Sequence, residues 1–157
     1  MERLILFQPA LGDMDFRRRL LADEKTMAYN AKWGGTIDFS PDRWQSWFSR
    51  WVQPGEVGRF YRYLYAKAEN AFVGEVAWHF DEDGQMYLCD VIIHADCRGR
   101  GYGREGLRLL CAAAKEKGLT RLHDHIATDN AAFRLFLQEG FVEISRDDDG
   151  VLLEKIL

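Results

Sequence analysis

Apolar positions along the chain switch between a helical and a strand-like period, and the switches divide it into elements. Arg3 to Gln8 reads as a short strand ended by Pro9, and from Asp13 onward Phe16, Leu20, Leu21 and Met27 recur at helical spacing. A turn-rich aromatic stretch from Tyr29 to Thr36 leads to a second helix start at Ser40-Pro41-Asp42, with Ser40 as the expected cap and Pro41 in the first turn. Trp44, Trp47, Phe48 and Trp51 share one face of that helix, a stripe that is more often core than binding site. Phe60–Lys67 and Phe72–Phe80 read as an antiparallel hairpin joined by Ala68-Glu69-Asn70-Ala71, and Met86–Ile93 follows the turn Asp81-Glu82-Asp83-Gly84. A helix from Gly101 to Lys117, a strand from Arg121 to Ala127, a helix from Ala131 to Gln138 and two strands around Asp147-Asp148-Asp149-Gly150 complete the pattern. The order β-α-α-β-β-β-α-β-α-β-β predicts an α/β (α+β) layer protein, its mixed, mostly antiparallel sheet of about seven strands flanked by about four helices.

The chain has 157 residues, 47% of them hydrophobic and 29% charged, so residues 1–157 are expected to form one domain with a core that needs no disulfide or metal. A net charge of -4 argues against nucleic acid or anionic lipid as a partner, unless through a local patch. Three scattered cysteines, Cys89, Cys97 and Cys111, suit reduced thiols. With no apolar run near the ~20 residues of a membrane span and no signal-peptide core, a cytoplasmic location is expected.

The chemistry concentrates where a strand enters a helix, in Ile93-His94-Ala95-Asp96-Cys97-Arg98-Gly99-Arg100-Gly101-Tyr102-Gly103-Arg104-Glu105-Gly106. Alternating glycines present consecutive N–H groups and the helix start adds about half a positive charge, which suits a phosphate or pyrophosphate. Arg98, Arg100 and Arg104 would supply balancing cations; the plain alternative is a tight turn with solvated arginines. A Walker loop is excluded, because Arg104-Glu105 replaces its lysine and hydroxyl. Gly101-Tyr102-Gly103-Arg104-Glu105-Gly106 matches the dinucleotide fingerprint G-x-G-x-x-G, with Asp124 downstream. That fingerprint, however, belongs to the first strand of a parallel sheet, and here it follows an antiparallel meander.

Read as Arg98-x-x-Gly101-x-Gly103, the turn resembles the acyl-CoA signature of the GNAT superfamily of N-acetyltransferases, whose element order is the one derived above. Asp129-Asn130-Ala131-Ala132-Phe133-Arg134-Leu135-Phe136, continuing to Gly140-Phe141, is similar to the family's second signature. The resemblance covers essentially the whole chain and implies a single GNAT-like domain using acetyl-CoA as co-substrate, without metal. It implies that Val91 and Ile93 pair through their backbones with the pantetheine arm between the splayed fourth and fifth strands. The amides of Arg100, Gly101, Tyr102, Gly103 and Arg104, with the Arg98 loop, would hold the pyrophosphate. Asn130 would bond the pantetheine arm and Phe133 and Phe136 would flank it, although amphipathic packing is the bland alternative for these aromatics. A β-bulge in the strand ending at Ile93 would supply an oxyanion donor. Phe136 stands where many members carry a proton-donating tyrosine. The acid is therefore Tyr102, Tyr87 or water, or the thiolate leaves without one.

Amine acetylation also needs a base. Strand alternation puts Glu75 and His79 on one face, opposite Val76 and Trp78. Glu75 and Asp90 are charges in otherwise apolar strands, candidates for the acceptor site or else solvent-facing or arginine-paired structural groups. Asp124 is a secondary candidate, and His123 with His125 lacks a third metal ligand. The resemblance places the acceptor among Tyr29, Asn30, Trp33, Gly34 and Gly35, with Trp44 and Trp47 beyond. The expected function is direct acetyl transfer from acetyl-CoA to a primary amine of a small molecule or peptide, in a chain that can also form a homodimer. The alternatives are a non-catalytic acyl-CoA sensor and a dinucleotide-binding module.

Overall fold

The computed structural model describes residues 2–157. Seven strands form one sheet: β1 (Leu4–Phe7), β2 (Arg59–Ala66), β3 (Ala71–Asp81), β4 (Met86–Ile93), β5 (Arg121–Ile126), β6 (Val142–Arg146) and β7 (Val151–Ile156), in spatial order β1-β2-β3-β4-β5-β7-β6. The four α-helices are α1 (Met14–Ala22), α2 (Trp44–Trp51), α3 (Tyr102–Glu116) and α4 (Ala132–Gln138). The predicted element order holds throughout. Among the described strands β4 and β5 alone run parallel, and every other pairing is antiparallel. That topology removes the dinucleotide alternative, which needs a parallel, doubly wound sheet.

Two apolar layers cover the sheet. Val76, Trp78, Cys89 and Ile93 pack with Leu107, Leu110 and Phe136 in one, and Phe16, Leu20, Phe48, Tyr61, Tyr63 and Ile92 form the other. Alternation along β3 and β4 sends their side chains to these layers in turn, which is why Glu75 and Asp90 share the α1–α2 face with Ile92.

Local chemistry moves three boundaries. α1 ends at Ala22 because the Asp23 carboxylate accepts from Thr26 N at 2.9 Å and from Thr26 Oγ1 at 2.5 Å; this starts a separate 3-10 segment, Thr26–Trp33, to which Met27 belongs. Ser40 does not cap α2: its hydroxyl donates to Asp42, and a 3-10 turn, Pro41–Arg43, precedes the helix. The bulge expected in β4 is absent, since β4 pairs with β3 without interruption from Met86↔Asp81 to Ile93↔Gly74. The irregularity falls one strand away, where Leu64 and Tyr65 of β2 pair with Gly74 and Phe72 and Val73 is passed over.

Candidate active site

β4 and β5 share a single register pair, Leu88↔His123, and diverge beyond it. His94 N donates to Val73 O at 2.8 Å, so by alternation Ile92 and Asp90 turn their backbone groups to β3, and Val91 and Ile93 turn theirs to the open side. A cavity of about 940 Å³ occupies this divergence. Val91, Ile93, Asp90 and Asp124 line it, together with Gly99, Gly101, Tyr102 and Gly103 from the start of α3. Tyr29, Asn30 and Trp33 also line it.

The glycine turn is shaped as its sequence requires. Gly99 and Gly101 have φ of +80° and +83°, a left-handed backbone that costs other residues roughly 1–2 kcal/mol. Gly103 keeps the helix close to its neighbours, since a Cβ there would lie 3.2 Å from Leu135 Cδ2. The unpaired N–H groups of the first α3 turn therefore reach the cavity at the helix's positive end. The turn, the free backbone edge of β4 and the cavity between them fit a long pyrophosphate-bearing thioester.

The three arginines do not form the expected free cationic patch. Arg98 turns inward, its Nε donating to Ile93 O at 3.1 Å and Nη2 to Thr26 O at 2.9 Å, so it ties the end of β4 to the Thr26–Trp33 segment. Arg100 is paired with Glu69 and does not line the cavity. Arg104 lines it, but its Nε sits 3.0 Å from Glu139 Oε1. With those cations engaged elsewhere, the backbone amides are the donors left free in this turn, an arrangement that suits an anion.

Asn130 lines the cavity and its Oδ1 accepts from Ala132 N at 2.9 Å, capping α4. Phe136 lines the cavity from a core position, with its ring 4.8 Å from Phe141. Phe133 is a correction: it packs on the core and does not reach the cavity, whereas Leu135 does. No sequence signal separates these two neighbouring apolar residues on one short helix. Of the suggested acids, Tyr102 lines the cavity with its hydroxyl 3.3 Å from Glu69 Oε1, and Tyr87 lies outside it.

Glu75 is also a correction. It is buried, its two oxygens accept from Arg17 Nη1 at 2.6 and 2.7 Å, and Tyr61 donates to it. Arg17 in turn lies over the Trp47 ring at 4.3 Å. Glu75 thus takes the arginine-paired role and is absent from the cavity wall. Trp44 and Trp47 belong to the α1–α2 core, and Gly34 and Gly35 likewise lie outside the cavity lining.

Asp90 and Asp124 remain. Asp90 is ringed by protein yet open to the cavity, and this burial, with the Glu75 charge behind it, raises its carboxyl above the ordinary range. Burial first and the charge of Asp90 second push Asp124 well above that range. Each carboxylate thus makes the other harder to ionise, and the pair titrates together. Tyr29, close to both charges, has its phenol raised by burial and then by Asp90. His125 also lines the cavity, 3.6 Å from Asp147, and is a site residue the sequence reading left out. His123 is instead buried against Glu154 at 2.9 Å, and no metal-binding cluster occurs among the described residues.

The sequence matches the acetyltransferase (GNAT) domain family over residues 3–141. The chain belongs to that family, and it is an acyltransferase of the GNAT class. A search of curated proteins gave no significant match. Among solved structures it is similar to spermidine N-acetyltransferase from Vibrio cholerae, in complex with CoA and spermine, with 19% identity, TM-score 0.76 and coverage of 97% of this chain and 93% of that one. It is similar to the ribosomal-protein-alanine N-acetyltransferase from Brucella melitensis at 20% identity and TM-score 0.76, covering 98% and 99%. PaiA N-acetyltransferase from Thermoplasma acidophilum, in complex with coenzyme A, aligns at 12% identity and TM-score 0.70 over all of both chains.

Proposed function

We propose that the chain transfers an acetyl group from acetyl-CoA directly to a primary amine. The observation that carries this reading is the cavity at the β4–β5 divergence, which joins the left-handed glycine turn at one end to the Asp90–Asp124 pair at the other. Bound CoA in two of the structural neighbours supports the choice of donor. In this reading the amides of Gly101 to Arg104 hold the pyrophosphate, and Val91 and the Ile93 N–H hold the pantetheine arm like an added strand. Asn130 and Phe136 flank the arm.

The acceptor enters past Tyr29, Asn30 and Trp33. Asp90, the more readily ionised of the pair, takes a proton from the arriving ammonium, and Asp124 holds that proton's alternative position. The neutral amine attacks the thioester carbonyl, the C–S bond breaks, and the CoA thiolate departs. Its ordinary thiol pKa makes it an adequate leaving group without a tyrosine in the Phe136 position.

Acetyl-CoA incubated with the protein and a panel of primary amines tests this. The expected result is free thiol and acetylated amine in equal amounts. Binding of acetyl-CoA with no acceptor-dependent thiol would support the sensor alternative instead.

A further inference from the structure

The glycine turn is held from behind by a residue of another element. Arg3, 97 positions before Arg100 and next to the start of β1, donates through Nη1 to Arg100 O at 2.7 Å. Its guanidinium lies against Gly101, where a Cβ would come within 2.9 Å of Nη2, and over Tyr102 at 4.9 Å from the ring centroid. Glu105, in the first turn of α3, fixes that guanidinium. Its Oε1 accepts from Arg3 Nε at 3.3 Å, and its Oε2 accepts from the backbone N–H groups of Arg3 and Leu4 at 2.8 and 2.5 Å. Glu69 takes the Arg100 side chain, so Arg100 is gripped at both its carbonyl and its guanidinium. Neither Arg3 nor Arg100 lines the cavity, whereas Gly101 does.

A trans peptide unit is planar, so a carbonyl and the N–H that follows it point in opposite directions. With Arg100 O turned towards Arg3, the Gly101 N–H faces away from Arg3, to the side on which Gly101 meets the cavity. Glycine tolerates either orientation of the peptide before it, so an outside contact must select one. Arg3 supplies that contact, and a cation on the carbonyl also polarises the peptide and strengthens its N–H as a donor.

We infer that Arg3 is a positioning residue for the acyl donor: it selects the orientation of the Arg100–Gly101 peptide that aims the Gly101 N–H at the pyrophosphate. This rests on the transfer reading above for what occupies the turn. Arg3 acts through that one amide from behind the turn, and the thiol arm, which lies along β4 in that reading, is beyond its influence.

Calorimetric titration of the intact protein with CoA and with pantetheine, which carries the thiol arm without any phosphate, tests the inference. In Arg3→Ala the Kd for CoA is expected to rise about tenfold, the size of one hydrogen bond to a charged group, while the Kd for pantetheine stays unchanged. Arg3→Lys, which keeps a cation near the carbonyl but loses the planar fork, should show the same selective loss at smaller size. Equal weakening of both ligands, the mark of a strand tie that only supports the fold, would overturn the inference, as would an unchanged affinity for CoA; either result leaves the transfer reading intact. A parent protein that binds CoA no more tightly than pantetheine would overturn the pyrophosphate placement and the inference with it.

Discussion

Arg17 and Glu75 show how far a single charged residue can be read from sequence. A lone glutamate in an apolar strand marks either a site or a buried ion pair, and only the distant partner decides. That partner lies 58 positions away, on α1. With side-chain exposures of 15% and 7%, removing Arg17 leaves an uncompensated buried carboxylate. Arg17→Leu is expected to lose about 3 kcal/mol in urea unfolding, and Glu75→Gln, which leaves the always-charged Arg17 guanidinium without its counter-ion, a comparable amount. Asp124 carries the opposite expectation. The folded protein holds its proton more tightly than the unfolded chain does, so stability declines as pH rises from the ordinary carboxylate range towards the raised folded value. Asp124→Asn should therefore melt higher than the parent at pH 8, with little difference at pH 4, in thermal scans at the two pH values. It should also slow amine acetylation. Because the Asp90 carboxyl is likewise raised, kcat/KM should climb with pH above the ordinary carboxylate range.

At the scale of elements, the β4–α3 turn was the most legible part of the chain, because its glycines are dictated by local backbone geometry. Gly101 at φ +83° is the sharpest case. Gly101→Val should weaken CoA binding by at least about tenfold in calorimetry, while far-UV circular dichroism keeps its helical signal, since the strain falls outside the helix interior. Asn130 was readable only through the family's second signature. Asn130→Ala removes the cap on Ala132 N and should cost about 1 kcal/mol of stability. What escaped the reading depends on contacts across the fold. The arginines beside the turn looked like a phosphate clamp, but Glu69, Glu139 and the carbonyls of Ile93 and Thr26 reach them from other elements. The early end of α1 likewise followed from the Asp23 side chain competing for the Thr26 amide.

For the whole molecule, the order of strand and helix periods led to the observed element order and to the β2–β3–β4 meander, since short connections join consecutive antiparallel strands, whereas the place of β7 between β5 and β6 was not legible. The divergence of β4 from β5 was expected only through the family resemblance, because no periodicity in either strand announces where pairing stops. That divergence is the centre of the account: it exposes the backbone of Val91 and Ile93 to a cavity that begins at the α3 amides. Amide hydrogen exchange of the intact protein with and without saturating CoA tests it most directly. The account predicts added protection at Val91, Ile93 and Gly101 to Arg104. CoA binding that leaves these amides unchanged and protects another surface would contradict it.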